Sequence, residues 1–145
     1  MIYTGLRPNE LLNIETTNVF LDKRYMVGGS KTEAGKNWII PIHEKIVSLI
    51  EKRLEKAQRY LITSNIGNKY TYSSFKERWD KMMNSLTLNY YPYDCRHTLA
   101  TRLDNVGANK LCIKLIMGHK SQDLLDSTYT HKNKSQLIET INLLA

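Results

Sequence analysis

The chain has 145 residues, 41% hydrophobic and 24% charged, which suits one domain (1–145) around one core and excludes a disordered chain. Its 21 Lys and Arg against 14 Asp and Glu leave a net charge of +7, which fits a polyanionic partner, most simply nucleic acid, or else a merely basic surface. No apolar run approaches the roughly 20 residues that span a bilayer, no secretory signal opens the chain, and Cys95 and Cys112 form no disulfide framework; the expectation is a reduced, cytoplasmic protein without membrane contact.

Met1-Ile2-Tyr3 runs directly into Thr4-Gly5-Leu6-Arg7, so the chain reads as beginning inside a domain, N-terminally truncated. Pro8 fits the first turn of a short helix continued by Glu10-Leu11-Leu12, with Arg7 at its N-terminal edge. Two β-rich runs, Arg24–Val27 and Asn37–Ile42, flank a hairpin loop at Glu33–Lys36, and Pro41 assigns the second run to a sheet edge or strand end. Residues 43–60 read as an amphipathic helix whose stripe is Ile46, Val47, Ile50, Leu54, Ala57 and Leu61. After a loop through Asn65, Gly67 and Asn68, Phe75, Trp79, Met82, Met83 and Leu86 recur at helical spacing over 72–86 and read as core. Helices follow at 94–105, stopped by Gly107, at 109–117, stopped by Gly118, and at 121–131 and 135–144. The fold class is mainly α with a small antiparallel β-sheet.

Five side chains stand out: Arg7, Lys31, Arg96, His119 and Tyr129. Each is ordinary alone. Lys31 could guard a sheet edge, His119 could sit at a helix end, and Tyr129 could be half-buried with its hydroxyl in water. Together they suit phosphodiester chemistry. Two guanidinium forks can neutralise charge on non-bridging phosphate oxygens, a lysine can protonate a leaving alkoxide, and a tyrosine hydroxyl can attack and store the bond energy as an ester. This set requires no metal and no cofactor. A metal site from Cys95, His97, Cys112, His119 and His131 has no pair at zinc-finger spacing.

The stretches carrying these residues are TGLRPNELL at 4–12, SKT at 30–32, YDCRHTLAT at 93–101, IMGHKS at 116–121 and STYTH at 127–131. In that order they resemble the boxes of the tyrosine recombinase catalytic domain, the phage integrase family. The resemblance implies Arg7 and Arg96 as the phosphate-binding arginines, Lys31 as general acid, His119 as the third box's histidine and Tyr129 as nucleophile. Glu10, Tyr93, Asp94 and His97 stand in support. Tyr93 departs from the pattern, since the second box usually opens with histidine; tyrosine can donate a hydrogen bond but carries no positive charge near pH 7. The implied function is site-specific recombination or integration of double-stranded DNA, for a phage or transposon. It proceeds through a 3′-phosphotyrosine, without metal or ATP, by a homo-oligomer (a tetramer) of a longer parent whose DNA-clamping domain lies upstream. Type IB topoisomerase-like breakage and a catalytically silent DNA-binding remnant are the alternatives. The amphipathic tail Ser135–Leu144 could pack on its own core or dock on a neighbouring protomer.

Overall fold

The computed structural model describes residues 1–28, 38–119 and 132–145. The hairpin loop with Lys31, the helix expected at 121–131, and Tyr129 and His131 lie outside the described residues.

The first helix, α1 (Pro8–Leu12), starts at proline, and Glu10 Oε2 reaches back to accept from the Arg7 backbone N–H at 2.8 Å. Three strands follow: β1 (Val19–Phe20), β2 (Tyr25–Gly28) and β3 (Trp38–Pro41), antiparallel in the order β1-β2-β3. Pro41 is the last residue of an edge strand, where its missing N–H costs no ladder bond. Two-residue β1 was not anticipated; the turn closed by Lys23 N–H to Phe20 O and Arg24 N–H to Leu21 O creates it.

Helix α2 (Glu44–Leu54) is shorter than the expected 43–60. Beyond it the backbone pairs elsewhere: Thr16 N–H donates to Arg59 O and Leu61 N–H to Ile14 O, both at 2.9 Å. That tertiary pairing outcompetes the amphipathic continuation and takes Ala57 and Leu61 off the helix, yet Leu61 still reaches the core. The α2 N-cap is fully buried His43, whose Nδ1 accepts from Lys45 N–H at 3.0 Å while Nε2 lies 2.8 Å from Leu144 O.

Helix α3 (Tyr72–Ser85) is capped by Thr71. Its apolar stripe is not core, contrary to expectation. Only Met83 is buried; Phe75 and Trp79 are half-buried, and Met82 and Leu86 are 44% and 57% exposed. The helix contacts α1 and the 86–93 segment, and the described residues do not cover its stripe.

Helices α4 (Asp94–Asn105), α5 (Lys110–Ile116) and α6 (Lys132–Ile141) follow among the described residues. Asn109 Oδ1 caps α5 by accepting from Leu111 N–H at 2.8 Å. Leu99 and Leu103 of α4, Ile116 of α5, and Leu137, Ile141 and Leu144 of the tail form one core cluster. A second joins Leu6, Met26, Ile40, Ile42 and Ile50 across the sheet. The C-terminal tail thus packs on its own chain.

Candidate active site

Two glycine turns place the site. Gly5 (φ +64°) turns the chain into Arg7, and a Cβ there would stand 3.1 Å from both Leu99 Cδ2 and Met117 Sδ. Gly118 (φ +63°) ends α5 and presents His119; a Cβ there would lie 2.8 Å from the Trp38 ring. That indole is fixed by its N–H to Leu115 O at 2.8 Å, so β3 buttresses the histidine turn.

Arg96 ties the two turns together. It is 3% exposed, and its Nη1 donates to Gly5 O at 2.6 Å while Nη2 donates to Met117 O. Arg7 is held differently, in the open: Nη1 donates to Glu10 Oε1 at 2.6 Å and Nε to Tyr93 Oη at 2.9 Å. Its Nη2 is engaged by no described residue. Hydrogen bonds to Tyr93 and Glu10 raise the Arg7 pKa further, whereas burial, and then Arg7 itself, push that of Arg96 down.

Arg7, Tyr93, Arg96, His97, Lys114 and His119 line one open cleft of about 530 Å³. Burial, then Arg96, Arg7 and Lys114, push the His119 imidazole below its ordinary pKa, so at neutral pH it is an uncharged proton acceptor. Asp94 serves the backbone: Oδ2 accepts from Tyr91 N–H at 2.7 Å and closes the turn that presents Tyr93. His97 is exposed on the cleft rim, its ring centroid 5.6 Å from that of Tyr93. Cys95 is an ordinary thiol pushed up by burial. Of the residues singled out in sequence, Arg7, Glu10, Tyr93, Arg96, His97 and His119 come together; Lys31 and Tyr129 lie outside the described residues. Lys114 was missed, although it sits in the last turn of α5, just ahead of the glycine–histidine turn, and its carbonyl accepts from His119 N–H at 2.9 Å. Two guanidinium groups, a lysine and a neutral imidazole around one cleft can hold an oxyanion and accept a proton beside it.

The fold is that of integrase and recombinase catalytic domains. It superposes on the integrase of mycobacterium phage Brujita with TM-score 0.78 at 20% identity, covering 99% of this chain and 48% of that one. It superposes on the Tn1549 transposon integrase in complex with circular intermediate DNA with TM-score 0.73 at 20% identity, covering 99% and 52%. The tyrosine recombinase XerA of Pyrococcus horikoshii is 29% identical over 153 residues, 94% of this chain and 53% of that protein. A sequence model of the phage integrase family matches residues 1–136, and the chain belongs to that family. It spans about half the length of the curated relatives it matches.

Proposed function

We propose that the chain carries the strand-cleaving site of a tyrosine-type, site-specific DNA recombinase. The observation that carries this reading is the convergence of Arg7, Arg96 and His119, from opposite ends of the sequence, on one cleft. The scissile phosphate sits between the two guanidinium groups. Tyr129 Oη attacks phosphorus and the bond to the 5′ oxygen breaks. The phenolic proton leaves toward a base such as His119, and Lys31 protonates the departing 5′ oxygen. A second strand's 5′ hydroxyl reverses the step, and the phosphotyrosine conserves the bond energy, so no ATP is consumed. The working partner is duplex DNA, on which the parent protein assembles as a homo-oligomer, a tetramer. The cations that stabilise the transition state are side chains, so the scheme calls for no metal. No helix among the described residues is long and apolar enough to cross a membrane.

The test is covalent trapping on a duplex nicked just beyond the scissile phosphate, so that the released fragment diffuses away. Wild type accumulates an adduct that maps to Tyr129; Tyr129→Phe binds DNA equally and forms none. Duplex binding without any adduct in wild type would leave a silent DNA-binding domain, and an adduct on Tyr93 would overturn the assigned nucleophile. Relaxation of supercoiled plasmid without strand exchange would mark topoisomerase-like breakage.

A further inference from the structure

We propose that Tyr93 orients the Arg7 guanidinium through its hydroxyl oxygen and donates its own hydroxyl hydrogen bond to the phosphate held in the cleft. The inference rests on the reading of the cleft as a phosphate site.

Arg7 is pinned on two sides, at Nη1 by Glu10 (2.6 Å) and at Nε by Tyr93 Oη (2.9 Å). Those contacts fix the plane of the guanidinium and leave Nη2 unengaged by any described residue. Tyr93 is itself held: Pro92 before it is buried, and the turn around it is closed by Tyr91 N–H to Asp94 Oδ2 at 2.7 Å. Tyr93 is 42% exposed and lines the cleft alongside Arg96 and His119.

A hydroxyl has one proton and two lone pairs. Here one lone pair faces Arg7 Nε–H, and that proton points at the oxygen. The hydroxyl proton must therefore turn away from the arginine, and Tyr93 stands on the wall of the cleft. An anion bound there receives the Tyr93 O–H and the Arg7 Nη2–H from neighbouring directions.

The box resembled by residues 93–101 usually opens with histidine, and an imidazole cannot do both jobs over the same pH range. Neutral imidazole accepts at one nitrogen and donates at the other, but imidazolium donates at both and cannot accept from Arg7. Its charge changes near pH 6.5, whereas a phenol ordinarily titrates near 10. In this chain, orienting the arginine and donating to the phosphate are combined in one hydroxyl group.

The experiment uses the 145-residue chain as wild type, Tyr93→Phe and Tyr93→His. Nitrogen-15 NMR reads the Arg7 Nε–H directly, and inorganic phosphate is titrated from about pH 5.5 to 8. In Tyr93→Phe the Arg7 Nε–H loses its protection from exchange. Phosphate affinity falls roughly tenfold, on the scale of one hydrogen bond to a charged group. In Tyr93→His the affinity relative to wild type rises as pH falls through the imidazole range. Unchanged Arg7 exchange and phosphate affinity in Tyr93→Phe, or a flat Tyr93→His ratio, would overturn the proposal. The partly exposed ring makes loss of folding a poor explanation for either change. Covalent trapping on nicked DNA runs in parallel and separates the two readings. Phosphate results as expected with no wild-type adduct sink strand cleavage and leave Tyr93's role standing. A wild-type adduct with phosphate binding indifferent to Tyr93→Phe does the reverse.

Discussion

Replacing each cleft arginine by lysine keeps its charge and removes its planar fork, and the two variants should behave differently. Arg96 is 3% exposed and bonds two backbone carbonyls, of Gly5 and Met117. A single ammonium cannot occupy both Nη positions, so Arg96→Lys leaves at least one of these carbonyls without its charge-assisted partner. Loss of one such bond with its acceptor left buried costs about 1.5–3 kcal/mol. Arg7 pairs with Glu10 near the surface, with side chains 39% and 26% exposed, and lysine can keep that pair. Exposed pairs contribute about 0.2–1 kcal/mol, so Arg7→Lys should cost less than about 1 kcal/mol. Urea unfolding at constant slope reads the difference, and each kcal/mol should move the thermal midpoint by roughly 2–4 °C in a chain of this size. Arg7→Lys should slow DNA cleavage by about a hundredfold and Arg96→Lys by more, assayed cold enough that Arg96→Lys remains folded. Equal loss of stability in the two variants, or a larger loss in Arg7→Lys, would refute the assignment of Arg96 as the buried tie.

Gly118→Ala should destabilise by more than about 2 kcal/mol, because it adds displacement of the Trp38 ring to the roughly 1–2 kcal/mol of a left-handed alanine. Gly107→Ala (φ +71°), where an added Cβ meets nothing within 4 Å, should cost only the backbone part; equal midpoints in denaturant would remove Trp38 from the account. The His119 ring proton should titrate below the ordinary value near 6.5, and Lys114→Ala should move it upward, as read by NMR. Since the unfolded chain binds this proton more readily, stability should fall as pH drops below about 6.5 and level off below the folded value, and His119→Asn should flatten that limb. Lys31→Ala should slow cleavage strongly and regain much of its rate when the bridging 5′ oxygen is replaced by sulfur, a leaving group that needs no proton; an equal defect on both substrates would make Lys31 a positioning residue. DNA binding should weaken at least tenfold between about 50 and 200 mM salt in a filter-binding or anisotropy titration.

What could be read in sequence was what is local. Pro8 at a helix start and Gly107 and Gly118 after helices act within four or five residues, and these were placed correctly on that basis. The errors lie where distant chain decides. The stripe of α2 continues in sequence past Leu54, but strand-like pairing of 14–16 with 59–61 ends the helix. The stripe of α3 is as regular as a core stripe, and periodicity reports a shared face without reporting what covers it. Trp38 read as an ordinary strand residue; nothing nearby in sequence signals that its indole would brace Gly118.

The site shows the same division. Arg7 and His119 could be singled out because each lies in a short motif, TGLRPNELL and IMGHKS, that resembles a family box. That Arg96 binds the backbone of both turns could not be seen, because Gly5 and Met117 are its neighbours only once the chain has folded. This changes what the residue is. The resemblance implies Arg96 only as one of two phosphate-binding arginines. In the fold it holds the carbonyl just before Leu6-Arg7 and the carbonyl just before Gly118-His119, so the spacing of Arg7 and His119 depends on it. A substitution there moves the frame as well as removing a charge, and its effect on catalysis will exceed that of Arg7 by whatever the displaced turns cost. Measuring Arg7 and His119 substitutions in an Arg96→Lys background resolves this, because groups that share a frame give non-additive losses.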